Sequence, residues 1–201
     1  MQIENTYIGD EKFKRFLEHY NCPTDIEEVK LKFAGAICSP NSELRPTDVI
    51  SSFFNDNQQP RLETKSEAEL FFKFFMGLWD EMFIQVKIDK LKLPAAKKGN
   101  KEHLVKLCED RSRQIEMGFV EGFWGGLDTL NIPNFAAELI NSLSDMAEAY
   151  YLLAQKLANS DDNADIHSII INMDEKVNET FSFIINYFVL PRIADIQRTV
   201  N

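Results

Sequence analysis

Several features that would restrict the function of this chain are scarce in its sequence. Cysteine occurs at three positions among 201 residues, Cys22, Cys38 and Cys108, and no Cys-x-x-Cys pair is present. Such sparse, widely spaced cysteines are typical of free thiols in a reducing compartment, and they provide no local zinc motif. We therefore expect buried thiols and no metal or other cofactor.

Long hydrophobic runs are also missing. No stretch of about 18 apolar residues occurs, so we expect no membrane-spanning helix. The first residues, Met1 to Thr6, show neither the basic region nor the apolar run of a secretory signal. Together with the cysteine pattern, this predicts a cytoplasmic protein.

Positive charge is in deficit, because 22 Lys and Arg residues stand against 32 Asp and Glu residues, giving a net charge of −10. This balance argues against nucleic acid as the main partner, since phosphate binding needs a basic face. One window, residues 87–106, is basic, with seven lysines against Asp89 and Glu102. Its residues Lys97, Lys98 and Lys101 are a candidate surface for an acidic protein, a membrane surface or RNA. The other interpretation is a solvated loop, which the helix breakers Pro94 and Gly99 favour.

Sequence motifs of catalysis are missing as well. No P-loop, GxSxG, HExxH or dinucleotide-binding glycine turn is present, and no histidine has a glutamate three residues before it. Glu121 has two interpretations: a semi-buried acid with a raised pKa in a pocket, or a glutamate on the solvent face of a helix. Amphipathic patterning favours the second, and the sequence predicts a protein that is not an enzyme.

What the sequence does contain is helical periodicity over nearly its whole length. Leu70, Phe74, Leu78 and Met82 are typical of the spacing of a long amphipathic helix, and no window alternates with the period of a strand. Capping boxes are predicted at Thr24 with Glu27 and at Ser66 with Glu69. The last helix is predicted from about Asp165 towards Gln197, with a bend near Pro191. The fold class is therefore all-α: one compact domain over residues 1–201, a bundle of roughly seven helices.

Glycine is rare, with eight residues, yet four of them fall within Gly118 to Gly126. Gly118, Gly122 and Gly126 recur every fourth residue and would form a bare stripe on a helix. Each glycine costs about 1 kcal/mol relative to alanine inside a helix, so close packing of another helix is the expected compensation. We predict that the partner is residues 33–38, where Gly35 lies between alanines, and that Trp124 flanks the contact.

Three stretches carry a family resemblance. Residues 31–40 (LKFAGAICSP) resemble an early helix end of the YecA/YgfB-like bacterial proteins, with Lys32 where a glycine is common, and residues 46–54 match the short helix that follows. The Gly118 to Leu127 run resembles the family's W-x-x-G-F-x-x-G-L segment. The resemblance implies a compact, all-helical, cytoplasmic protein of a largely uncharacterised family, in which some relatives act as regulators by binding another protein. Some relatives have a cysteine-rich zinc tail, which this sequence does not contain, so zinc is not transferred.

Two functions remain open from the sequence. The first is a non-enzymatic interaction or regulatory module that presents acidic faces and one basic loop to an unknown protein partner; a homodimer is one form of this. The alternative is a small-molecule binder or enzyme with an apolar, aromatic-lined pocket between helices, built from the sixteen phenylalanines.

Overall fold

The computed structural model describes residues 7–54, 60–159 and 165–194, and every regular element within these ranges is helical. The elements are α1 (Asp10–His19), α2 (Ile26–Cys38), α3 (Pro46–Ser51), α4 (Lys65–Lys87), α5 (Lys101–Arg113), a π-helical segment (Gln114–Val120), α6 (Glu121–Trp124), α7 (Asn134–Asn159) and α8 (Ile166–Phe188). Because α5, the π segment and α6 are continuous, we call residues 101–124 the central helix. Counted in this way, the described ranges contain seven helices, and the all-α prediction is confirmed.

Phenylalanine forms much of the core. Phe13 and Phe16 of α1 pack against Phe71 and Phe75 of α4, with ring centroids 5.3–5.6 Å apart between the helices. The buried apolar side chains form one cluster to which every helix contributes. None of the described helices is long and apolar enough to cross a bilayer.

Two helix starts differ from the predicted capping boxes. The N-cap of α2 is Asp25, whose carboxylate accepts hydrogen bonds from the backbone of Glu27 and Glu28. Thr24 instead donates to the carbonyl of Phe53, so a tertiary contact takes its hydroxyl away from the cap. The N-cap of α4 is Thr64 rather than Ser66, which lies inside the helix.

The central helix packs along α2, and the residue pairs at the contact advance together along both helices, so the two run in the same direction. A Cβ built on Gly122 would lie 2.2 Å from the carbonyl oxygen of Lys32, and one on Gly35 would lie 2.1 Å from the carbonyl oxygen of Phe119. A Cβ on Gly118 would lie 3.1 Å from the Cβ of Leu31. The predicted close approach of helix backbones is therefore present at these three glycines. It includes Gly35 of the predicted residues 33–38, but Gly118 and Gly122 meet α2 earlier, between Glu28 and Lys32.

A buried arginine joins the other side of the central helix to α7 and α8. Arg111 is 2% exposed and donates from Nε and Nη2 to the two carboxylate oxygens of Asp174, at 3.0 and 3.2 Å. Its remaining bonds go to Gln114 and to the backbone carbonyl of Pro94, while the hydroxyl of Tyr150 donates to Asp174 at 2.7 Å. The network fixes three helices and the 91–100 connection together.

The regular part of α8 ends at Phe188, three residues before Pro191. Helical residues resume at 190–194, and the predicted helix end at Gln197 lies outside the described residues. Arg192 donates to the backbone carbonyls of Ile37, Cys38 and Ser39 at 2.8–3.2 Å. The last carbonyls of a helix have no intrahelical donor. Arg192 supplies donors to those at the C-terminal end of α2.

Candidate binding cleft beside the central helix

A cleft of about 690 Å³ opens between α3 and the C-terminal end of the central helix. Its walls come from segments far apart in sequence: α2, α3, the central helix with the turn that follows it, and α7. The polar and charged residues that line it are Lys32, Asp48, Ser51, Ser52, Glu116, Glu121, Asp128 and Ser144. Trp124, Leu44 and Leu127 provide apolar surface. The volume lies within the range typical of small-molecule and side-chain binding sites.

The charge of the cleft is strongly one-sided. Four carboxylates line it against one lysine, which leaves three formal negative charges. Lys32 is largely buried, and its Nζ lies 2.9 Å from Oε2 of Glu121, so the lysine is already paired. Neither Asp48, Glu116 nor Asp128 forms an ion pair within the described ranges. The cleft is therefore suited to a cationic ligand.

Glu116 occupies an unusual position in this set. Its Oε2 is buried and has no hydrogen-bond partner among the residues that the structure describes. A buried acceptor without a partner is destabilising and is rare in folded proteins. Glu116 also lies on the π segment, a rare form of helix that often occurs at functional sites.

The run of glycines ends the central helix beside the cleft. The helix stops at Trp124. Gly125 and Gly126 follow with φ of +59° and +78°, a backbone conformation that residues other than glycine rarely adopt. Gly126 therefore does not belong to the packing stripe, and nothing lies within 4 Å of a Cβ built on it. Trp124 is half-buried and lines the cleft, with its ring edge-on to Phe123. The prediction that Gly126 packs against a helix is wrong, because the helix has already ended.

Glu121 lies at the border between cleft and solvent. Its side chain is 44% exposed, so the interpretation as a semi-buried acid does not hold. Its pairing with Lys32 was not predicted from the sequence.

A second pair across the same helix contact joins Arg113 to the buried Glu28 at 2.8 Å. Lys32 and Glu28 are one helical turn apart on α2, so the two ion pairs flank the position of Gly118.

The 91–100 connection, which carries the basic stretch, is held to the body by its leucines and by backbone hydrogen bonds. Leu91 and Leu93 are buried, and the backbone N–H of Leu93 donates to Asn178 at 2.8 Å. The carbonyls of Pro94 and Ala96 contact Arg111 and His167. The side chains of Lys97, Lys98 and Lys101 are solvent-exposed. The interpretation of these lysines as a docking surface therefore stays a prediction.

An apolar groove lies between α7 and α8. Phe135, Leu139, Phe183 and Tyr187 line it, together with Asn186, and its volume is about 430 Å³. Phe183 is 63% exposed, Phe135 is 49% exposed, and the Phe135 and Tyr187 rings meet edge-on at 4.8 Å. Most of the other phenylalanines are buried in the core. This groove is the feature that the aromatic-pocket alternative requires.

Sequence reasoning missed most of the cleft, since its carboxylates come from separate segments. One signal was available: Lys32 interrupts an otherwise apolar stretch of α2, which indicates a buried partner of opposite charge.

Among the described residues, no group of three His, Cys, Asp or Glu side chains is placed to hold a metal ion. The two fully internal thiols, Cys38 and Cys108, are buried as expected, and burial raises their pKa to about 12 and about 11.

No family model, curated protein or solved structure matches this chain. The resemblance to the YecA/YgfB-like family therefore stays a prediction based on the residues quoted above.

Proposed function

We propose that this chain is a non-enzymatic interaction module and that the cleft beside the central helix receives a basic segment of a protein partner. The observation that carries the proposal is the excess of carboxylates inside a concave surface. Four acidic side chains face one lysine that is already paired. Complementary charge gives protein interfaces their specificity and speeds association, so a partner with lysine or arginine residues fits this surface.

The scaffold around the cleft supports the same function. The central helix is held to α2 by backbone contact at Gly122 and to α7 and α8 by the Arg111 network. A surface on rigid elements keeps its shape before binding, which reduces the free energy lost on ordering. The net charge of −10 adds a long-range attraction for a basic partner.

Cross-linked capture from the native host tests the proposal. The wild type is compared with Asp128→Lys, which inverts one exposed charge in the cleft, and with Glu175→Lys, which makes the same change on the exposed face of α8. We expect a partner with a basic segment to be lost with Asp128→Lys and retained with Glu175→Lys. Equal capture by all three proteins would contradict the proposal.

A second candidate function rests on the groove of Phe135, Phe183 and Tyr187. Exposed aromatic side chains around a concave surface are typical of sites that bind apolar ligands or partner side chains. A metabolite screen by thermal shift tests it, with Phe183→Ser as the variant that removes the most exposed ring. A ligand that stabilises the wild type but not Phe183→Ser would favour this function over the module.

A further inference from the structure

We propose that the cleft binds an organic cation, an ammonium or guanidinium group on an aliphatic stem, and that Glu116 is its anchor. The inference rests on the proposed function, because both use the same cleft, and it names the chemical group that is recognised there. The same group occurs on lysine and arginine side chains of a protein and on free polyamines.

Glu116 has an unsatisfied acceptor at the cleft. Its Oε2 is buried at the cleft and accepts no hydrogen bond from any described residue. The cations of the neighbouring helix contact are occupied elsewhere: Lys32 pairs with Glu121 and Arg113 pairs with Glu28. An N–H donor with positive charge would satisfy this acceptor, and hydrogen bonds between charged groups are the strong ones.

The spread of the carboxylates around the cleft indicates the kind of cation. The carboxylates of Asp48, Glu116 and Asp128 lie around the cleft, but no three acidic groups in the described part of the chain come together to hold a metal ion. Dispersed charges in a cleft of about 690 Å³ fit a longer molecule with more than one amino group. Trp124, Leu44 and Leu127 offer the stem an apolar wall, and the indole of Trp124 also attracts cations.

Glu116 lies on the π segment of the central helix. A π-helix advances fewer degrees per residue than an α-helix, so it changes which side chains face a given side. Here Gly118 faces α2 while Glu116 lines the cleft. The segment thus serves the backbone contact and the cleft together.

Isothermal titration calorimetry at about 150 mM salt tests the inference, an ionic strength at which distant surface charges are largely screened. The probes are spermidine and a capped tetralysine peptide, and the same peptide with acetylated lysines is the neutral control. The protein variants are Glu116→Gln and, as a matched control, Glu109→Gln, which removes an exposed charge from the same helix outside the cleft.

We expect at least one cationic probe to bind the wild type and Glu109→Gln equally. Glu116→Gln should weaken that binding about tenfold or more, which is the usual effect of losing one charged hydrogen bond. The acetylated peptide should not bind. If neither cationic probe binds, if Glu116→Gln binds as well as the wild type, or if the acetylated peptide binds equally, the inference is wrong.

Two further results separate the inference from the proposed function. Glu116-dependent binding of spermidine but not of tetralysine identifies a free polyamine as the ligand, which supports the inference and contradicts the protein partner. Capture of a partner that depends on Asp128 but not on Glu116 supports the module and contradicts the anchor. Circular dichroism checks the fold of each variant. If Glu116→Gln does not fold, Glu116→Asp replaces it; its side chain is one methylene shorter, so its carboxylate is drawn back from the cleft and binding of the cationic probe should again weaken.

Discussion

The two sides of the central helix differ in how completely their polar groups are satisfied. On the side towards α7 and α8, Arg111 is buried and bonded to Asp174, Gln114 and a backbone carbonyl. On the side towards α3, five residues further along, Glu116 has a buried carboxylate oxygen without a partner. The same helix therefore has a closed side and an open side.

The difference separates structural charge from charge that is available for binding. A buried ion pair whose hydrogen bonds are all made stabilises a single arrangement of helices, and removing one partner strands the other. An acceptor that the fold leaves unsatisfied costs free energy without a structural return. We infer that the closed side maintains the fold and that the open side serves the function.

The largest effect is expected from filling the contact between the central helix and α2 at Gly122. A Cβ there would lie 2.2 Å from the backbone oxygen of Lys32, which cannot rotate away. Gly122→Leu should prevent folding. Gly122→Ala gains up to about 1 kcal/mol of helix propensity but should lose more, since overpacking costs about 1–3 kcal/mol or more. Urea unfolding measures the sign, and a gain in stability would show that the contact yields.

Gly118→Ala provides the graded comparison. Its Cβ would meet the Leu31 side chain at 3.1 Å and the Glu28 carbonyl at 3.2 Å, distances that small shifts can relieve. The loss of stability should therefore be smaller than for Gly122→Ala. A larger loss would mean that the helices approach more closely at Gly118 than at Gly122.

The next effect concerns the buried ion pair. Asp174→Ala leaves Arg111 and the Tyr150 hydroxyl without their acceptor, so the free energy of unfolding should fall by about 3–5 kcal/mol. The control is Glu175→Ala, which truncates the neighbouring exposed side chain and should change stability by less than about 0.5 kcal/mol. Equal effects in the two variants would contradict a structural role for the network.

A smaller effect depends on pH. Burial raises the pKa of the Glu28 carboxyl, and the nearby Arg113 opposes the rise only in part. A raised pKa in the folded state means that the stability contributed by this group is full below the usual glutamate pKa and is lost as the pH rises through the folded value. Between about pH 4 and pH 7, the stability of the wild type should therefore fall relative to Glu28→Gln. Chemical unfolding at several pH values measures the trend, and the opposite trend would contradict it.

The helices could be predicted from the sequence because hydrophobic periodicity is a local signal. Helix starts were less predictable where two residues compete for one cap: Asp25 caps α2 because Phe53 engages the neighbouring Thr24. The π segment has no local sequence signature. The cleft could not be predicted either, because Asp48 comes to line the same cavity as Glu116 and Asp128 only after α3 packs beside the central helix.

The smallest effect is expected from the exposed lysines. Lys97→Glu combined with Lys98→Glu should change the free energy of unfolding by less than about 0.5 kcal/mol, because buried leucines and backbone hydrogen bonds hold the connection. Capture of the partner by this double variant distinguishes a docking surface from a solvated loop. Loss of binding with unchanged stability would place the partner on this stretch instead of the cleft.

The stability of Glu116→Gln tests the division between closed and open sides most directly. The substitution keeps the side-chain volume and removes the charge of a carboxylate whose buried Oε2 has no partner among the described residues. Urea unfolding at neutral pH should give a free energy within about 0.5 kcal/mol of the wild type, or above it. A loss greater than about 1 kcal/mol would mean that Glu116 stabilises the fold, and would contradict its assignment to the open side.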